Sequence, residues 1–201
     1  QSICDGQNAT LTASGGLSYQ WGNGMQGQSI TVSPNQNTGY AVTVTDANSC
    51  TAADVVWVNI SAPPVADAGL NQSICPGQTT ILTASGGVDY IWSTGQTGAT
   101  VSVLPLSAGF YTVTVTGANT CTATDSVWVA LYSLSIANAG EDQTICTGSS
   151  ALLNATGGIQ YVWDTGQTGA AIAVNPTTNT NYTVTVTDTN GCTAADMVWV
   201  Y

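Results

Sequence analysis

Cysteine and carboxylate side chains are the reactive groups that this sequence offers. The chain of 201 residues has 6 cysteines and 11 acidic residues, and it contains no lysine, arginine or histidine. The commonest general bases are therefore missing, and pairing of the cysteines would remove the thiol nucleophiles. Only carboxylates remain for acid–base chemistry, so the composition argues against an enzyme.

The cysteines form two series with the same spacing of 71 residues. The first series is Cys4, Cys75 and Cys146, and the second is Cys50, Cys121 and Cys192. Six cysteines allow 15 pairings, and the repeat favours one bond inside each repeat: Cys4–Cys50, Cys75–Cys121 and Cys146–Cys192. We expect each bond to join two loops at one end of its repeat and to contribute roughly 4 kcal/mol through loop closure. Paired cysteines indicate an oxidising, extracellular compartment.

The same 71-residue step relates two series of aromatic residues, which are Trp21, Trp92 and Trp163, and Tyr40, Tyr111 and Tyr182. In a small β-sandwich an alternating tryptophan is usually a core residue, so we expect these six side chains to fill the cores. An exposed platform for sugars is the alternative for the tryptophans. The period predicts three tandem repeats, at 1–61, 62–133 and 134–201, of which the first lacks its lead-in strand.

The hydrophobic pattern predicts strands and no helix. Residues 111–116 and 182–187 alternate apolar residues with threonine, which is typical of half-buried antiparallel strands. A turn at 46–50 and a second β-rich run at 55–58 predict a closing hairpin. About seven short strands per repeat fit an immunoglobulin-like β-sandwich. The junctions have no flexible Gly/Ser tract, so we expect an extended rod.

Charge limits the partners of this chain. Its net charge of -11 should repel the phosphates of nucleic acids. Membrane insertion is not expected, because no run of about 18 apolar residues occurs. Calcium is the one cation that these oxygen ligands suit, and no other cofactor is expected. The candidate ligands are Asp46, Asp67, Glu141 and Asp142. In the alternative, Asp and Asn at these positions are ordinary turn formers.

Several short runs in the second repeat carry a family resemblance. They are Cys75-Pro-Gly, Gly86-Gly87, Tyr90-Ile-Trp-Ser-Thr-Gly95, Gly109-Phe-Tyr-Thr-Val-Thr-Val-Thr116 and Cys121-Thr-Ala123. This pattern resembles the SprB-type repeats of Bacteroidota surface adhesins, and Trp-x-x-Gly before the Tyr-Thr-Val-Thr-Val-Thr strand is also similar to PKD-like modules. The resemblance covers every repeat, although the second departs from it at Gly117 and Thr120. It implies large adhesins exported by the type IX route and used in gliding, attachment or surface filaments.

Two functions from different classes fit this pattern. In the first, the repeats are structural rungs of an extracellular filament or stalk, built from other copies of the chain or from further repeats. In the second, they form an adhesin module whose loops recognise glycans or another surface. The loops at 22–26 and 93–97 differ only modestly, which favours the structural role. Ser126 is a candidate glycosylation site, because Asp125-Ser-Val127 resembles a short O-glycosylation signal of Bacteroidota.

Overall fold

The computed structural model describes residues 1–133 and 136–201, and this part of the chain consists of strands, turns and loops. It holds seventeen β-strands. The described residues include no helix long and apolar enough to cross a membrane. The strands of the first repeat are β1 Ser2–Cys4, β2 Ala9–Thr12, β3 Ser18–Trp21, β4 Ser29–Val32, β5 Thr38–Thr45 and β6 Thr51–Ser61.

The later repeats place their strands at equivalent positions. Those of the second repeat are β7 Gln72–Ile74, β8 Thr80–Thr83, β9 Asp89–Trp92, β10 Thr100–Val103, β11 Gly109–Thr116 and β12 Thr122–Leu131. Those of the third are β13 Ala151–Asn154, β14 Gln160–Trp163, β15 Ala171–Val174, β16 Thr180–Thr187 and β17 Thr193–Val200. The repeats thus have six, six and five strands instead of about seven. A single tight loop, residues 22–28 in the first repeat, separates the third strand from the fourth. In the third repeat an isolated bridge between Gln143 and Val200 stands in the place of β1 and β7.

Two compact units divide the chain. One comprises Gln1–Gly69, Thr83–Val101 and Thr112–Ser126, and the other Leu70–Leu82, Ser102–Tyr111 and Val127–Tyr201. The division into domains at 1–61, 62–133 and 134–201 stays a prediction. Its second boundary falls next to residue 134, which lies outside the described residues.

The first unit contains a complete β-sandwich. One sheet has the order β1-β6-β5-β3, and the facing sheet pairs β2 with β4. In chain order, β3, β5 and β6 correspond to strands C, F and G of an immunoglobulin-like sandwich, while β2 and β4 correspond to strands B and E. Strand β1 runs parallel to the end of β6, with Cys4 opposite Ser61. The core between the sheets includes Leu11, Trp21 and Val58.

The second unit repeats this arrangement at its carboxyl-terminal end. Strands β14, β16 and β17 form one sheet, and β13 pairs with β15 in the other. Along β16, Tyr182, Val184 and Val186 are buried, as the alternation with threonine predicts. The core also contains Leu153 and Trp163. The chain is therefore an all-β array of tandem immunoglobulin-like sandwiches.

The lead-in segments, residues 65–71 and 136–142, pass close to a glycine of the same repeat. Gly86 has a φ of 102°, and a Cβ built on it would overlap the carbonyl oxygen of Val65. Gly15 has nearly the same backbone, with a φ of 98°, but nothing lies within 4 Å of its Cβ position. Position 86 requires glycine both for its left-handed backbone and for the close approach of the Val65 carbonyl oxygen.

Substituting alanine at these two glycines separates the two requirements. Gly15→Ala should lower the free energy of unfolding by about 1–2 kcal/mol, because the left-handed backbone is the only feature of this position that disfavours alanine. Gly86→Ala should cost about 1–3 kcal/mol more, since the lead-in segment must also move. Chemical denaturation of the two variants measures the difference. Equal losses would show that the lead-in segment does not press on Gly86.

Candidate functional site

The disulfides join successive repeats, which corrects the pairing expected inside each repeat. Cys4 bonds Cys121 and Cys75 bonds Cys192, with Cα–Cα distances of 5.6 and 5.4 Å. Each bond spans 117 residues of sequence. The two remaining cysteines, Cys50 and Cys146, are exposed free thiols. The expectation of one bond in every repeat is therefore wrong.

Strand length explains why the pairs Cys4–Cys50, Cys75–Cys121 and Cys146–Cys192 do not form. In the first repeat Cys4 lies opposite Ser61, at the end of β6, whereas Cys50 directly precedes the start of that strand. At about 3.3 Å per residue, β6 separates these two positions by roughly 35 Å. A disulfide requires Cα atoms about 6 Å apart, so the bond cannot close. The two cysteines lie at opposite ends of the sandwich and not in two loops at one end.

The turn that carries Cys121 makes further contacts with the end of the first repeat. The Asn119 side-chain amide donates a hydrogen bond of 2.8 Å to the carbonyl oxygen of Ala62. The sulfur of Cys121 lies 3.7 Å from the carbonyl oxygen of Ser61. Cys121 is 1% exposed, so this disulfide is shielded from solvent on that side. Polar contacts and a covalent bond thus fix the same junction.

Two aspartates hold the lead-in segments against a later strand of the same repeat. The Asp125 carboxylate accepts a 2.8 Å hydrogen bond from the backbone N–H of Ala68, and Asp196 accepts one of 2.9 Å from Ala139. The equivalent residue of the first repeat, Asp54, accepts a hydrogen bond from the N–H of Val55. The 71-residue recurrence of both the aspartate and the Ala-Gly of the lead-in segment was the sequence signal for this contact.

The hydrogen bonds to Asp125 change the acidity of its carboxyl group. The pKa of Asp125 lies below its usual value, because the charged form accepts hydrogen bonds from the backbone N–H of Ala68 and, secondly, of Ser126. Partial burial acts weakly in the opposite direction. Folding therefore favours the ionised form of Asp125.

A lowered pKa makes part of the stability depend on pH. The contribution of Asp125 is present above the pKa of an unfolded aspartate and disappears as the pH falls through the lower pKa of the folded state. Asp125→Asn should therefore lose stability near neutral pH and show a shallower loss on acidification. Thermal melts from pH 7 to pH 2 measure this. Asp89→Asn, at an exposed position, removes the same charge and is the control. Parallel pH profiles of Asp125→Asn and the wild type would contradict the assignment.

The candidate calcium ligands make hydrogen bonds to backbone groups in the structure. Asp46 accepts from the N–H groups of Asn48 and Cys50 at 2.8 and 2.9 Å, and Asp142 accepts from Trp199 at 2.8 Å. Asp67 accepts from Gly69 at 2.8 Å, while Glu141 is exposed. No group of three or more acidic or cysteine side chains suited to a metal ion occurs among the described residues. Calcium binding stays a prediction.

The remaining sequence candidates lie in three environments. The indoles of Trp21, Trp92 and Trp163 are 1–2% exposed, and each Nε1 donates to a glycine carbonyl oxygen at 3.0–3.1 Å. Among the tyrosines, Tyr182 is buried, whereas Tyr40 and Tyr111 are half-buried. Ser126 is exposed on β12, and its hydroxyl lies 2.8 Å from that of Thr112. Its glycosylation stays a prediction.

Comparison with known proteins identifies no family. No family model and no curated protein matches this chain. Three N-terminal domains of the bacteriophage RB49 Highly Immunogenic Outer Capsid protein share 15% identity over 98% of this chain and 95% of theirs, with a TM-score of 0.41. The N-terminal eight Ig domains of Down Syndrome Cell Adhesion Molecule share 14% over 100% of this chain and 39% of theirs, with a TM-score of 0.34.

A Bacteroides ovatus glucan-utilisation protein, SGBP-B, solved with a mixed-linkage heptasaccharide, shares 16% identity over 100% of this chain and 65% of its own, with a TM-score of 0.24. The chain spans only 39–65% of the length of the first solved structures it matches. Such distant likenesses say nothing about function. The strand order described above is what assigns the immunoglobulin-like fold.

Proposed function

We propose that this chain is a non-catalytic structural segment of a secreted bacterial surface protein, in which the repeats form an extracellular filament or stalk. The observation that supports this most is the bonding of each repeat to the next by a disulfide. Such bonds strengthen the junctions between modules, which are the weakest points of an ordinary tandem array. They also fit an oxidising environment outside the cytosol.

The composition supports the same role. The chain contains no lysine or arginine, so proteases of trypsin specificity have no cleavage site in it. Its charge of -11 keeps it soluble at high local concentration. Both properties suit a protein that is exposed permanently to the medium.

Electron microscopy of material sheared from producing cells tests the proposal. A structural filament should appear as ordered fibres that bind an antibody raised against this chain. The matched control is the same preparation from cells in which the gene is deleted. Labelled single strings tethered to cells, with no fibres, would contradict the filament and leave a stalk or an adhesin.

Pulling a single chain by its ends measures whether the bonds carry load. The shortest covalent route crosses from Cys4 to Cys121, runs back to Cys75 and crosses again to Cys192. At about 3.5 Å per residue, this route limits the fully extended chain to roughly 200 Å, compared with roughly 700 Å after reduction. An oxidised chain that extends as far as the reduced one would show that the disulfides do not carry the load.

A second candidate is an adhesin module that binds glycans or another surface. A shallow hollow recurs at one position of each repeat, beside Tyr19, Tyr90 and Tyr161. Its rim carries a large exposed apolar residue each time: Leu17, Val88 or Ile159. Binding of the purified chain to immobilised glycans tests this candidate. Loss of that binding in the triple serine variant of the rim residues would support it, and unchanged binding would exclude the hollow.

A further inference from the structure

Cys50 and Cys146 occupy the two kinds of position that the disulfides join elsewhere in this chain. Cys50 is equivalent to Cys121 and Cys192, in the turn between the last two strands of a repeat. Cys146 is equivalent to Cys4 and Cys75, near the start of a repeat. Both are exposed and unpaired. One chain thus presents one thiol of each kind.

The turn around Cys50 has the same construction as the turn of a bonded cysteine. Asp46 accepts hydrogen bonds from the N–H groups of Asn48 and Cys50 at 2.8 and 2.9 Å. Asp188 accepts the equivalent bonds from Asn190 and Cys192, also at 2.8 and 2.9 Å. The residue before each cysteine has a left-handed backbone, with a φ of 64° at Ser49 and 79° at Gly191. Cys50 is held in the backbone geometry that presents Cys192 to Cys75.

The turn that follows Cys146 also matches its bonded counterparts. The carbonyl oxygen of Cys146 accepts a hydrogen bond of 2.9 Å from the N–H of Ser149. Cys4 and Cys75 accept the equivalent bonds at 3.0 Å from Gln7 and 3.2 Å from Gln78. Both free thiols are therefore carried by turns that already support a disulfide in this structure.

We propose that Cys146 of one chain forms a disulfide with Cys50 of a second copy, so that chains join head to tail. This rests on the proposed filament role and names the partner of the two free thiols. A second copy is the favoured occupant, because it brings the complementary thiol on a turn of the required construction and continues the junction seen twice within the chain. Different surfaces meet in this contact, so it can propagate as an open chain.

The bond forms by thiol–disulfide exchange with a small-molecule disulfide as the oxidant. The thiolate of one cysteine attacks that disulfide, forms a mixed disulfide and releases one small thiolate. The thiolate of the other cysteine then attacks the protein sulfur and releases the second small thiolate. Two protein S–H groups are lost, one S–S bond forms, and the small-molecule disulfide is reduced to two thiols. Because both copies are negatively charged, added salt should accelerate the reaction.

The experiment oxidises the purified 201-residue chain with glutathione disulfide and separates the products on a non-reducing gel. We expect a ladder of covalent oligomers that collapses on reduction. Cleavage next to aromatic residues, followed by mass spectrometry, should identify the Cys50–Cys146 linkage. Cys50→Ser alone and Cys146→Ser alone should stay monomeric. An equal mixture of the two variants should form a dimer and nothing larger, with at least tenfold more dimer than either variant alone.

Three results of the oxidation experiment would overturn the inference. Either single variant could dimerise as readily as the mixture, the mixture could remain monomeric, or Cys50 and Cys146 could pair within one chain. Retention of the Cys4–Cys121 and Cys75–Cys192 bonds in both variants shows that they are folded. Fibres that persist on cells producing Cys50→Ser would overturn the covalent joint and leave the filament role intact. Absence of fibres on wild-type cells would contradict the filament role itself.

Discussion

Removal of the Cys4–Cys121 bond is expected to lower the free energy of unfolding by about 5 kcal/mol. This bond closes a loop over 117 residues, and loop closure on that scale restricts the unfolded chain by this amount. For a chain of this size, the loss corresponds to a fall in melting temperature of about 10–20 °C. Calorimetry of the Cys4→Ser/Cys121→Ser variant against the wild type measures the change.

The two free cysteines provide a matched control for this prediction. Cys50→Ser/Cys146→Ser replaces the same number of thiols and removes no disulfide. Its melting temperature should stay within about 2 °C of the wild type, because surface substitutions usually change stability by about 0.5 kcal/mol or less. Equal losses in the two double variants would contradict the disulfide pairing between repeats.

Truncation of Trp163 is expected to lower the free energy of unfolding nearly as much as loss of a disulfide does. Trp163 is 1% exposed in the core of the third repeat, and its Nε1 donates a 3.1 Å hydrogen bond to the carbonyl oxygen of Gly169. Trp163→Ala should therefore cost about 3–5 kcal/mol of unfolding free energy, since it leaves a large cavity. Denaturant titration followed by far-ultraviolet circular dichroism measures this loss.

Two further variants separate burial of the indole from its hydrogen bond. Trp163→Phe keeps an aromatic ring but leaves the Gly169 carbonyl oxygen without its donor, which should add about 1 kcal/mol to the cost of the smaller ring. Trp57→Ala is the exposed control, because 58% of this side chain is accessible to solvent and its loss should cost less than about 1 kcal/mol. Similar losses for Trp57→Ala and Trp163→Ala would contradict the assignment of Trp163 to the core.

The strands and the core follow from local properties of the sequence. Side chains of a strand point alternately to its two faces, so the Tyr-Thr-Val-Thr-Val-Thr run of residues 182–187 predicts which of them are buried. The 71-residue period then transfers that pattern from one repeat to the next. These signals need no knowledge of distant contacts.

The lead-in contacts depend on tertiary structure, although the residues recur in the sequence. Asp125 accepts a hydrogen bond from Ala68, and Asp196 accepts the equivalent bond from Ala139, each across a sequence separation of 57 residues. Gly86 and Gly157 each lie against a carbonyl oxygen of the lead-in segment, that of Val65 and that of Ile136. The period identifies these residues as equivalent, but only the fold shows which distant segment each of them contacts.

The sequence by itself determined the repeat, the strands, the buried tryptophans and the acidic charge that disfavours nucleic acid, because composition and side-chain periodicity fix these locally. The pairing of the cysteines was decided by the tertiary structure. A strict 71-residue period makes Cys50 and Cys121 equivalent candidates for Cys4, and sequence distance favours the nearer one. The parallel pairing of β1 with the far end of β6 places Cys4 at the opposite end of the sandwich from Cys50. The bond therefore forms with Cys121 of the next repeat, because a disulfide requires two cysteines whose Cα atoms are close in space, whatever their separation in sequence.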